Sequence, residues 1–164
     1  MNRLDINSIN IFSPYKVWER DDGINFETDF GLRYAVDFDT DANPYYTTYW
    51  FNLKNKGNNK SPGDNNIGKT VVCIIEEFFR NNPNILLYMC STERDKQAQR
   101  ARLFLRWFNG AEQQKRYAIR TAEVRGDNNR KEYVALIVKR CNPDIDDILA
   151  IFEEEVAMFN TMKP

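Results

Sequence analysis

The hydrophobic pattern of this chain changes period once, and that change limits the class of fold it can adopt. Ahead of residue 54 large side chains recur at every second position. Ile24, Phe26 and Thr28 alternate with Asn25 and Glu27. Past a turn at Gly31, Leu32, Tyr34, Val36 and Phe38 alternate with Arg33, Ala35 and Asp37, and Tyr45, Thr47, Tyr49, Phe51 and Leu53 form a third run. Period two is the signature of a strand with one buried face, so this half reads as half-buried antiparallel strands.

Beyond residue 66 the period becomes helical. Ile67, Val71, Ile74, Ile75 and Phe78 fall on one helix face, with Lys69, Glu76 and Arg80 opposite, and Asn81-Asn82-Pro83 ends the helix. The apolar run from Ile85 to Cys90 predicts a buried strand, and a second helix is expected over residues 94–108, before Gly110. A hairpin follows, 116–124 and 133–140, joined at Gly126-Asp127-Asn128-Asn129. Asn142-Pro143-Asp144 opens a last helix striped by Ile145, Ile148, Leu149, Phe152, Val156 and Phe159. The predicted order is βββ-α-β-α-ββ-α, an α+β fold with a mainly antiparallel sheet and three helices on one face.

At 164 residues the chain has the length of one domain, 1–164. The segment 54–66, KNKGNNKSPGDNN, has almost nothing apolar to bury and is expected to be a mobile loop inside that domain rather than a boundary. Histidine is absent, which removes Ser-His-Asp and Cys-His catalysis, histidine-ligated zinc and histidine pH switching. Cys73, Cys90 and Cys141 make no CxxC pair, and each lies in an apolar-periodic segment as a small hydrophobe would. No start resembling a signal peptide and no apolar stretch of about 18 residues is seen, so a cytoplasmic protein without membrane association is expected.

Several motifs suggest chemistry. Gly63-Asp64-Asn65-Asn66-Ile67-Gly68-Lys69-Thr70 fits G-x-x-x-x-G-K-[ST], which would make Gly68, Lys69 and Thr70 a nucleotide site. The residues before it are not a buried strand, and the apolar run after it ends in Cys90 rather than a magnesium-holding aspartate. Helix-start composition therefore accounts for the string. Asp37, Asp39 and Asp41 alternate at a strand end and would share one face toward a cation, but Ala42 and Thr48 stand where a calcium loop needs Gly and Glu. No metal or other cofactor is assigned. Glu153, Glu154 and Glu155 read as a solvated helix face. The aromatic cluster of Tyr45, Tyr46, Tyr49, Trp50 and Phe51 marks either a strand buried on both faces or a binding platform.

Charge is balanced overall, with a net of −1, yet segregated along the chain. Residues 1–50 hold 4 basic and 9 acidic groups, whereas 94–120 hold 8 basic and 2 acidic. On the second helix Ala98, Ala101, Phe104, Leu105 and Phe108 form the buried side. Lys96, Arg102 and Arg106 lie opposite, together with Leu103 and Trp107, which are i,i+4 neighbours. Trp and Arg are the residues enriched at interaction hot spots. This face has three readings: packing beneath another element with the arginines paired to N-terminal acids, a protein-binding face, or phosphate and base contact.

Tyr88-x-Cys90 followed by Asp95, Arg100, Leu103-Phe104 and Trp107-Phe108 resembles the signature of domain-of-unknown-function family 6169, a small bacterial family. The aromatic segment from Phe26 to Phe38 and the terminal Lys163-Pro164 look similar too, while Ser91 stands where that signature has an acidic residue. The resemblance implies a compact cytoplasmic domain and no particular activity. Arg100 and Trp107, seven apart, fall on nearly one helix side, which suits a cation–π or shared packing role.

The expected function is that of a non-enzymatic interaction domain. Its partner, another protein, would be bound through Arg100, Arg102, Leu103, Arg106 and Trp107. Nucleotide binding at Gly68, Lys69 and Thr70, or nucleic-acid binding by the basic segment 94–120, are the alternatives.

Overall fold

A computed structural model describes residues 1–57, 63–89, 97–126 and 130–162, with side chains omitted at 97–101 and 162. In chain order the elements are α1 (Ile6–Phe12), β1 (Val17–Arg20), β2 (Gly23–Glu27), β3 (Arg33–Thr40), β4 (Thr48–Asn55), α2 (Asn65–Asn81), β5 (Ile85–Met89), α3 (Gln97–Phe108), α4 (Ala111–Arg116), β6 (Tyr117–Arg125), β7 (Lys131–Lys139) and α5 (Ile145–Met162). The strands form one seven-stranded sheet, ordered β1-β2-β3-β4-β5-β7-β6. The pairs β1–β2, β2–β3, β5–β7 and β6–β7 are antiparallel.

The α+β class and the mainly antiparallel sheet agree with the sequence. The count of three helices and the order βββ-α-β-α-ββ-α do not, because five helices are found among the described residues and a strand precedes Gly23. Helix α1 carries too short an amphipathic signal to be read: its seven residues, INSINIF, bury only Ile9. It depends instead on its cap, where the Asp5 carboxylate accepts the Asn7 N–H at 2.9 Å and the Ser8 hydroxyl at 2.8 Å. Those bonds, the hydroxyl's first, hold the Asp5 carboxyl below its ordinary pKa. Helix α4 buries nothing and has no apolar stripe at all.

The chain divides into two compact units, residues 1–39 with 51–83, and residues 40–50 with 84–164. Residues 54–66 fall within the first unit, and 58–62 lie outside the described residues.

In the first unit, Gly23 holds φ +119° in the β1–β2 turn, and a Cβ there would meet the Val36 carbonyl oxygen at 2.2 Å. Only glycine fits. Strands expected to be half buried are buried on both faces at their centres. Phe26 stacks on Tyr34 with centroids 5.3 Å apart, and their neighbours Asn25 and Ala35, paired across the strands, are buried too. Alanine is small enough for this. Asn25 is compensated by donating to Asp22 at 2.8 Å and accepting from the Lys56 ammonium at 2.9 Å. Helix α2 sets Val71, Ile74, Ile75 and Phe78, all fully buried, against this layer, with Phe78 stacked on Phe38 at 4.9 Å.

In the second unit β7 lies between β5 and β6, and Val134, Ala135, Leu136, Ile137 and Val138 are all buried. Register assigns the faces. Leu87, Leu136, Val138, Ala118 and Val134 point to the side covered by Ile148 and Phe152 of α5. Tyr88, Leu86, Ile137 and Tyr117 point to the other, where Tyr88 stacks on Phe104 of α3 at 4.2 Å and Tyr117 meets Phe108 at 5.1 Å. Helices therefore cover both faces here, correcting the expectation of one face. A run of five apolar residues cannot leave alternate positions in water.

Glu77 of α2 is a carboxylate only 2% exposed. It accepts the Asn81 amide at 2.6 Å, pairs with Arg80 and faces the Asp5 N–H at 3.4 Å. Glu77→Ala removes the acceptor for three donors at once. Urea unfolding is expected to show a loss of about 2–3 kcal/mol, against less than about 0.5 kcal/mol for exposed Glu112→Ala.

Candidate functional site

Each sequence motif can now be placed. In the Gly-Lys-Thr string, Asp64 is the N-cap of α2, accepting the Asn66 N–H at 2.9 Å and the Tyr15 hydroxyl at 2.5 Å. Burial, then the bond to Asp64, pushes the Tyr15 hydroxyl pKa up. Gly68 is buried within the helix and Lys69 is exposed. Thr70 is fully buried, and its hydroxyl donates to the Asn66 carbonyl at 2.8 Å while the Tyr15 N–H approaches it at 3.4 Å. Gly68, Lys69 and Thr70 thus share no outward rim, and the threonine hydroxyl is committed to the helix backbone. Tyr15→Phe is expected to cost about 1 kcal/mol in a thermal or urea melt through the lost bond to Asp64. Lys69→Ala should change stability by less than about 0.5 kcal/mol.

Of the three aspartates, Asp37 and Asp39 both accept from the Asn52 amide, at 2.6 and 2.8 Å, and Asp37 also meets Lys54 at 3.4 Å. Asp41 accepts the Trp50 indole N–H at 2.8 Å. Among the described residues no three His, Cys, Asp or Glu side chains are grouped as metal ligands. Cys73 is half-buried, and burial followed by Glu76 pushes its thiol up. Cys141 is exposed in the turn after β7, not buried as its apolar flank suggested. Cys90 lies outside the described residues.

Of the side of α3 expected to be buried, Phe104 and Phe108 are buried and Leu105 is half-buried, while the side chains of Ala98 and Ala101 lie outside the described ones. On the outward side Arg102 and Arg106 are exposed, Leu103 is 41% exposed and Trp107 is half-buried. The Arg100 side chain lies outside the described ones. Among the flanking bases, Lys115 pairs with Glu112 at 3.4 Å and the Arg116 guanidinium sits 5.9 Å from the Tyr117 ring centre. Acids of the N-terminal strands have partners close in sequence or space within their own unit: Glu19 with Arg3, Glu27 with Arg33, Asp22 with Lys56.

A second feature was missed in the sequence. Between α5 and its face of the sheet lies a cavity of about 240 Å³. Leu87, Val134, Leu136, Ile148 and Phe152 form its apolar wall, with Tyr46, Trp50, Asp41 and Glu155 adding rings and carboxylates. Tyr45 and Tyr46 precede β4 in a turn where the Asn43 side chain accepts both backbone N–H groups, at 2.8 and 3.0 Å. Tyr45 is exposed, Tyr49 and Phe51 are buried, and Tyr46 and Trp50 face the cavity. The far end of α5 is held by Asn160, which accepts the Arg125 N–H and donates to the Glu123 carbonyl, both at 3.0 Å.

Glu153, Glu154 and Glu155 are all exposed, as read from the sequence, but Glu155 also borders the cavity. Spacings of three and four place it beside Phe152 and Phe159 on the apolar stripe, the one signal that would have singled it out. Burial, then repulsion from Asp41, raises its carboxyl pKa. Burial followed by Asp144 and Asp147 likewise raises the Tyr46 hydroxyl. A carboxyl with a raised folded pKa holds its proton more tightly in the folded than in the unfolded chain, so ionisation opposes folding. Glu155→Gln should therefore raise the melting temperature at pH 7. The gain should shrink as pH falls through the raised value and vanish below the ordinary glutamate range, as calorimetry at about pH 3.5 and pH 7 would show.

No curated protein and no solved structure matches the chain. No helix among the described residues is long and apolar enough to cross a membrane. The model of a family of unknown function, DUF6169, matches residues 63–154. That span is more than half of the chain and runs from the cap of α2 into α5, through the stretch Tyr88 to Phe108. The chain belongs to the family of unknown function DUF6169.

Proposed function

We propose that this protein is a non-enzymatic interaction domain that binds an acidic surface of another protein through the outward side of α3. The observation that carries the reading is the side chain set Arg102, Leu103, Arg106 and Trp107. Leu103 is 41% exposed beside a half-buried Trp107, and two arginines flank the pair. The opposite side of the helix is anchored by Phe104 and Phe108, so the outward side chains are carried on a fixed support. Apolar anchors ringed by arginine match the composition of binding hot spots. The positive rim calls for carboxylates on the partner, arranged around an apolar centre.

The test uses a fluorescent amphipathic peptide with Glu on one side and Leu and Phe on the other, set against a single-stranded oligonucleotide of equal charge. The peptide is expected to bind. Leu103→Ala should weaken it about tenfold, and Arg102→Glu with Arg106→Glu should weaken it more, while thermal melts stay cooperative. Tighter oligonucleotide binding with a steep salt dependence would overturn the reading in favour of nucleic acid. Peptide affinity unchanged by either variant would displace the site from α3.

A further inference from the structure

We propose that the cavity under α5 is a binding site for a small organic amine in its ammonium form, a site distinct from the outward side of α3. The carbon body of the amine would lie along Leu87, Leu136 and Phe152, with its charge at the carboxylates of Asp41 and Glu155.

Three independent features of the cavity converge on that chemistry. Its wall is apolar, built from sheet residues of β5 and β7 and from α5, and its volume of about 240 Å³ is near the small end of organic-ligand sites. Its charged groups are of one sign. Asp41 and Glu155 repel each other, and neither is ion-paired to a cation among the described residues. Like charges that share one cavity rim repel, and a bound cation offsets that repulsion. Four aromatic side chains, Tyr46, Trp50, Phe152 and Phe159, line the cavity, and ring faces attract ammonium groups but not carboxylates. Trp50 is moreover fixed, because its indole N–H is donated to Asp41. The same bond directs one oxygen of Asp41 toward the ring and leaves its second oxygen without a hydrogen-bond donor among the described residues.

Neutral and anionic ligands of the same shape separate this proposal from simple filling of an apolar hole. Hexylammonium, hexanol and hexanoate present one carbon chain with three different heads, and each is titrated calorimetrically into the full chain. Hexylammonium is expected to bind about tenfold more tightly than hexanol, with no detectable heat from hexanoate. In the double variant Asp41→Asn, Glu155→Gln that preference should fall to within about twofold while hexanol binding persists. The Asp41→Asn change keeps an oxygen acceptor for the Trp50 N–H and Glu155 is exposed, so the variant is expected to fold, which a cooperative melt would verify. Equal affinity for the three ligands would overturn the proposal. So would no heat from hexylammonium at millimolar concentration, or a preference for it that survives in the double variant.

Discussion

Strand β7 constrains the second unit more than any other element does. Five consecutive apolar residues from Val134 to Val138 must all leave water, and a strand turns successive side chains to opposite faces. One helix covers only one face, so the run is satisfied only if α5 and α3 take opposite sides of the sheet. Everything of functional interest in this unit follows from that division. On one face, Phe104 and Phe108 spend the apolar side of α3 on Tyr88 and Tyr117. The remaining half of that helix, Leu103 and Trp107 among arginines, is thereby turned outward. On the other face, the stripe of α5 meets Leu136, Val138 and Val134 but does not close over them completely. The residual space is the cavity.

How polar groups are treated distinguishes supporting structure from site. Buried Asn25, Thr70, Glu77 and Asn82 are each supplied with partners at hydrogen-bond distance. No described side-chain nitrogen or oxygen is buried without one. That is the ordinary solution to the cost of removing polar atoms from water. Asp41 and Glu155 border the cavity instead: Asp41 is half-buried and accepts the Trp50 N–H, Glu155 is exposed, and with no cation paired to either among the described residues the two like charges share one rim at the cost of mutual repulsion. The raised Glu155 carboxyl expresses that cost.

Sequence periodicity made the larger elements legible and the smaller ones not. Helix α2 shows its stripe over 17 residues and ends where Asn81-Asn82-Pro83 places the stop. Helix α1 has seven residues and one buried side chain, so its stability rests on a cap and tertiary contacts that no pattern displays. The Gly-Lys-Thr string was legible as a helix start, but Tyr15 lies near neither Asp64 nor Thr70 in sequence, and only the fold reveals that it ties that region together. On α3 the burial of Phe104 and Phe108 was readable from their spacing. The cavity was not, because its lining joins residues 41–50 to residues 85–159. Only Glu155 carried a local clue, a carboxylate interrupting an apolar stripe.

Family membership bears unequally on the two candidate surfaces. The matched span, residues 63–154, contains α3 in full and most of the apolar wall of the cavity, from Ile85 through Phe152. Asp41, Tyr46, Trp50 and Glu155, which supply the charge and two of the rings, fall outside it. The wall residues follow from the double-sided burial of β7, which any sequence adopting this unit must satisfy. The groups that would choose a ligand are set by other physics: a turn capped by Asn43, an indole bonded to Asp41, and one helix position past the matched end. Packing and selection are therefore separable in this molecule, and a substitution at the carboxylates tests selection while leaving the β7 core intact.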